Sequence, residues 1–193
     1  YGREAAGVFA AAVAAAMAPG ATIGDVVDAA LAVAHDGTKA AIAAVTAAAG
    51  TVGDWEAAIG VLRAAVEPFD TVGPNYRQPD ADARRPSRTK SIEELPIALG
   101  MAVVAAGDYR DAVLGAVNYG RDSDSIATMA GAICGALGGS ATVPADWADE
   151  VATASKIDLA APATVLCDVA AEIWERDAKR TAGITAVRAT MHS

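Results

Sequence analysis

The chain is poor in aromatic side chains, which make up 5% of its 193 residues, and it has two cysteines and two histidines. With so few large rings, a core must be built by close approach of small side chains. Two cysteines do not make a disulfide framework, and no Cys and His stand at zinc-ligand spacing. Cys134 and Cys167 fall inside helical apolar patterns, so both are expected as buried, reduced thiols, which suits a reducing cytoplasm. Positive charge is also short, at 15 Lys and Arg against 24 Asp and Glu, for a net charge of −9. A nucleic-acid partner is therefore excluded, because binding a phosphate backbone needs a cationic surface that displaces counterions.

Long apolar runs are missing as well. Two apolar stretches, Ala5 to Ala18 and Ile126 to Ala136, fall short of the roughly 20 residues that span a bilayer, so they are expected as buried helices and no membrane partner is implied. The first residues lack a basic region, a small-residue cleavage site and an initiator Met, and Tyr1 opens directly into a helical pattern. That start leads us to expect further sequence upstream. No segment sustains two-residue alternation, no Gly-rich phosphate loop follows a strand, and no nucleophile elbow is present.

What the chain does have is alanine, the strongest helix former, and the composition predicts an all-α protein of one domain over residues 1–193. A first helix is predicted over residues 3–18, stopped by Pro19-Gly20. Thr22 and Asp25 form a capping box that opens a helix to about His35, near whose C-terminal end the imidazole would sit favourably. Gly37 breaks the pattern before a helix from Thr38 to Ala49, and a fourth helix follows Asp54. Ser91 and Glu94 read as a second capping box, with Pro96 in or near the first turn. That helix ends near Gly107, and Asp108 caps the next, to about Asn118. One more helix starts near Ser125, another follows Pro144, and the last runs from about Pro162 to Lys179. Trp55, Trp147 and Trp174 are expected to pack, and the charges of "EIWERDAKR" to form a solvated face. Residues 67–90 hold four of the eight prolines together with Arg84, Arg85, Arg88 and Lys90, which reads either as a shaped functional loop or as a solvated surface loop.

The stretch "RDSDS" at 121–125 is the chemically informative part. Asp122 and Asp124 sit one residue apart between Gly120, which permits a sharp bend, and the helix starting near Ser125. Two carboxylates and a hydroxyl converging there would suit a hard cation such as Mg²⁺ or Ca²⁺, although the string lacks the layout of an EF-hand loop. Plain helix capping by Asp122, Ser123 or Asp124 is the competing reading. The small residues that follow, Ala127, Gly131 and Gly135 in one row and Ala130, Cys134 and Gly138 in a second, predict a helix pressed close to its neighbours. That would carry the aspartate turn deep into a bundle, where buried carboxylates demand a compensating cation.

"YGRDSDSIATMAGAICGALGG" resembles the C-terminal signature of the ADP-ribosylglycohydrolase family, in which Gly-Gly-Asp-x-Asp-Thr precedes Ile-Ala and regularly spaced glycines. "SIEELPIALG" upstream and "VPADW" downstream agree, and the resemblance extends over nearly all of residues 1–170. It implies a compact orthogonal multi-helix bundle holding two metal ions, normally Mg²⁺ with Mn²⁺ as a substitute. The implied activity is hydrolysis of the bond between ADP-ribose, or a related ribosyl group, and an acceptor. The substrate would be an ADP-ribosylated protein or an ADP-ribose-like small molecule, and the residues do not specify the acceptor. Carried over by position, Asp122, Asp124 and Ser125 would be metal ligands, Ser125 standing where Thr is usual. Arg121 stands where the family has Gly; it would pair with an aspartate or contact a substrate anion. Arg88 and Lys90 are further expected anion contacts. The family's N-terminal acidic motifs, which supply the remaining ligands and the usual acidic catalytic residue, do not occur in these residues. A further N-terminal segment or chain is thus expected to complete the site. A non-catalytic binding or structural role, or a role as one subunit of an assembly, is the alternative.

Overall fold

A computed structural model describes residues 2–69 and 91–191. Among the described residues there are nine α-helices and no strand: α1 (Gly2–Ala16), α2 (Ile23–Val33), α3 (Asp36–Ala49), α4 (Trp55–Val66), α5 (Ser91–Val104), α6 (Tyr109–Tyr119), α7 (Ser123–Gly138), α8 (Ala145–Ser155) and α9 (Ala160–Met191). The all-α expectation holds. The chain divides into two compact units, residues 1–144 and 145–193.

Local chemistry explains most helix starts in the first unit. The Thr22 hydroxyl accepts from the Asp25 amide at 3.3 Å while Asp25 accepts the Thr22 amide at 2.8 Å, which completes the expected capping box. Asp54 and Asp108 cap α4 and α6 by accepting the amides of Ala57 and Asp111. Helix α3 begins earlier than expected, with Gly37 inside its first turn. Its N-terminus is capped from a distance: the Glu4 carboxylate of α1 accepts the His35 amide at 2.8 Å and the Thr38 hydroxyl at 2.9 Å. His35 is accordingly the N-cap residue of α3, rather than the end of α2 as expected.

Helix α5 is apolar on almost every side and is buried along most of its length, as a central helix must be. It packs against α3, α4, α6 and α7. Close approach depends on glycine: a Cβ at Gly100 would stand 2.7 Å from Val45 Cγ1, and one at Gly115 of α6 would stand 2.8 Å from both Met101 Sδ and Trp55 Cβ. The small row of α7 behaves as expected, with Gly131 and Gly135 facing the Tyr109 ring of α6.

Two expectations at α5 change. Ser91 is the first residue inside the helix, one position too far along to cap it, and its buried hydroxyl finds no hydrogen-bond partner among the described residues. Pro96 lies in the second turn, where it deletes the bond its amide would have made to the Ile92 carbonyl. The acid that turns inward is Glu93, 1% exposed.

In the second unit, α9 extends a dozen residues beyond the predicted end at Lys179. Trp174 is 73% exposed rather than packed, and Cys167 is exposed rather than buried. Arg176 and Asp177 form the expected solvated pair at 3.3 Å. Trp55, in contrast, packs against the core of the first unit, and Cys134 is buried. Burial pushes the Cys134 thiol up to about 12. Among the described residues no helix is long and apolar enough to cross a membrane.

Candidate functional site

The expected site is the turn between α6 and α7. Helix α6 ends at Gly120, with φ +79 and ψ −158, a conformation that needs a residue without Cβ. Arg121 follows in the left-handed region at φ +58. Asp122 then occupies the N-cap position of α7, and Asp124 and Ser125 lie in its first turn.

Asp122 is half-buried, Asp124 is exposed and Ser125 is half-buried. The turn is therefore not deep in the bundle, which corrects the sequence expectation. The tight contact with α6 is made by Gly131 and Gly135 in the middle of α7, so full burial begins only at Ile126 and the aspartates emerge at the rim. The structure brings Asp122 and Ser125 together: the Ser125 hydroxyl donates to Asp122 Oδ1 at 3.4 Å. Arg88 and Lys90, the other expected contacts, lie outside the described residues.

The capping reading can be weighed against the chain's other helices. Thr22, Asp54 and Asp108 each accept an amide of the helix they precede. Asp122 occupies the equivalent position and makes no side-chain cap bond. Its backbone, at φ −87 and ψ 55, departs from the extended conformation that usually aims a cap side chain back at the helix amides. Both carboxylates nevertheless stand at the positive end of a helix dipole, which favours anions there.

Behind the turn is a buried polar cluster that the sequence reading missed. The Tyr119 hydroxyl donates to Glu93 Oε1 at 2.8 Å, and Arg121 Nε lies 3.1 Å from Glu93 Oε2. Burial raises the Tyr119 phenol well above its usual range, with the Glu93 charge adding to the effect. Arg63 of α4 lays its guanidinium over the Tyr119 ring, 4.8 Å from the centroid, and donates to the Tyr119 carbonyl. The signal for Glu93 was present: it shares a helical stripe with the buried Pro96, Ile97 and Gly100, so it is a lone charge on an apolar face.

Against known proteins, the family model described as ADP-ribosylglycohydrolase matches residues 1–182. The chain belongs to the ADP-ribosylglycohydrolase family. Among curated proteins it is similar to the ADP-ribosylarginine hydrolase Tri1 of Pseudomonas putida (strain GB-1), with 36% identity over 103 residues, covering 53% of this chain and 27% of that one. The match thus spans about a quarter of the relative's length. No solved structure matches.

The metal chemistry that the family resemblance implies can be tested on the donors. Asp122, Asp124 and Ser125 offer hard oxygen ligands, the chemistry that Mg²⁺ and Mn²⁺ take, at a rim where solvent can supply more. Their kind fits. Their number fits only part of one coordination sphere, because each hard cation wants about six oxygens. Among the described residues no group of three or more His, Cys, Asp or Glu side chains could hold a metal ion.

Proposed function

We propose that this chain is part of a metal-dependent hydrolase that cleaves the glycosidic bond between ADP-ribose, or a related ribosyl group, and its acceptor. Asp122, Asp124 and Ser125 would hold part of a binuclear Mg²⁺ site, and further ligands would come from outside these three residues. Bound there, the ions would clamp substrate oxygens and hold water for attack. The family membership supports the reaction class, and the relative's name makes ADP-ribosylarginine the first substrate to try. The observation that carries the site is the meeting of oxygen donors at the head of α7, where the Ser125 hydroxyl donates to Asp122 Oδ1 at 3.4 Å and Asp124 is exposed beside them. The free thiols and the lack of a membrane-length helix among the described residues are compatible with a cytoplasmic enzyme.

The test is metal titration with thermal unfolding. Mg²⁺ or Mn²⁺ should raise the melting temperature by binding the native state, with about 2.7 kcal/mol gained at a hundredfold excess over Kd. Asp122→Ala and Asp124→Ala should each abolish the shift and the turnover of an ADP-ribosylated substrate. If both variants bind metal and turn over substrate like the parent, the proposal fails. A non-catalytic binding role is favoured by one observation, the incomplete acidic set among the described residues. It predicts ADP-ribose binding that is indifferent to metal.

A further inference from the structure

Glu93 reaches from α5 to the α6–α7 turn and holds the chain on both sides of Gly120. Its Oε1 accepts the Tyr119 hydroxyl at 2.8 Å, and its Oε2 lies 3.1 Å from Arg121 Nε. The two side chains of this ion pair are 1% and 16% exposed. Stability alone does not explain a charge there, because a well-packed apolar residue commonly serves as well as or better than a buried ion pair. Position 93 lies on an otherwise apolar stripe, where such a residue would fit the pattern.

The backbone between the two grips shows what the charge can do. Gly120 and Arg121 take successive positive φ values, +79 and +58. Glycine adopts this region freely, whereas an L-residue with a Cβ is disfavoured there by about five- to thirtyfold in population. Such a conformation persists where its surroundings over-determine it. Arg121 is followed directly by Asp122, so its backbone angle sets the direction in which that residue enters α7.

We propose that Glu93 is a positioning residue for the aspartate turn: it holds Arg121 in the left-handed conformation and Tyr119 at the end of α6, and so fixes where Asp122 and Asp124 present their carboxylates. This rests on the reading of those aspartates as metal ligands. The Arg121 guanidinium serves here as the handle by which the turn is held.

The test uses the 193-residue chain and two readouts, amide hydrogen exchange at residues 120–124 and Mn²⁺ affinity by titration. Glu93→Gln should speed exchange at the turn by about five- to thirtyfold, leave the buried amides of α3 unchanged, and weaken Mn²⁺ binding by a similar factor as the competent population falls. In Glu93→Gln/Arg121→Gly, where glycine accepts the left-handed angle without cost, Mn²⁺ affinity should return to within about threefold of the parent. Tyr119→Phe releases one grip and should give a smaller rise at the same amides, which keeps the test available if Glu93→Gln does not fold. Unchanged exchange at the turn overturns the proposal, as does, where the parent binds Mn²⁺, a double variant that binds it no better than Glu93→Gln. If the parent takes up no Mn²⁺ while Glu93→Gln still loosens the turn, the metal reading falls and the hold of Glu93 on the turn stands.

Discussion

Substituting alanine for two glycines in helix interiors separates packing from propensity in this alanine-rich fold. Gly60 in α4 is exposed, and a Cβ there meets nothing within 4 Å. Gly60→Ala should therefore show the helix-propensity gain alone, about 0.8–1 kcal/mol. Gly115 in α6 is buried, and a Cβ there would stand 2.8 Å from Met101 Sδ and 2.8 Å from Trp55 Cβ. The methionine can swing away, but the tryptophan Cβ is anchored to the α4 backbone, so the helices must separate. Overpacking of this kind costs about 1–3 kcal/mol. Gly115→Ala gains the same propensity, so it should lie about 1–3 kcal/mol below Gly60→Ala in stability and at or below the parent. Urea unfolding followed by far-ultraviolet circular dichroism measures the difference, and heating should show it as about 2–4 °C per kcal/mol. If Gly115→Ala is as stable as Gly60→Ala, the claim that glycine sets the α4–α5–α6 spacing is wrong.

Two further predictions concern titration and thiol access. The Glu4 carboxyl is held below its usual range, chiefly by the His35 amide and further by the Thr38 hydroxyl. A carboxyl depressed on folding stabilises above its unfolded pKa and loses that contribution as pH falls through the folded value. The parent should exceed Glu4→Gln by roughly 0.5 kcal/mol at pH 7, given screening at a half-exposed site. The gap should close as the pH falls below about 4, and a gap that is constant from pH 7 to pH 3 would refute the assignment. In thiol labelling at pH 8, Cys167 should react at once, whereas Cys134, buried and with its thiol pushed up to about 12, should react only on unfolding. Two fast thiols in the native chain would contradict the packing of α7.

How much was legible in the sequence follows from how far each determinant reaches. The caps at Thr22, Asp54 and Asp108 each act on an amide three residues on, so a short window contains both partners. The aspartate string was legible for the same reason. The N-terminal cap of α3 was not, because its acceptor is Glu4, 31 residues before His35. Glu93 was missed because its partner Tyr119 is 26 residues away. The depth of the aspartate turn was misjudged on different grounds. Small rows in α7 report where two helices touch, at Gly131 and Gly135, and that contact need not extend to the helix end.

The turn between α6 and α7 joins two helix ends of opposite polarity, and the charges around it follow the polarity. At the C-terminal end of α6 the last carbonyls carry partial negative charge, and there Arg63 donates to the Tyr119 carbonyl and covers the Tyr119 ring. At the N-terminal end of α7 the exposed amides carry partial positive charge, and there stand Asp122 and Asp124. Glu93 cannot belong to either set by position in sequence, since it comes from the first turn of α5. It is placed instead between the two, with one oxygen on Tyr119 and the other beside Arg121. The cation-bearing Arg121 thereby has its charge met from behind by Glu93, and the carboxylates at the head of α7 emerge at the rim. An acidic pair at a rim, on a turn held from the core, is what the proposed hard-cation site would draw on: ligands reachable from solvent, held by groups that are not.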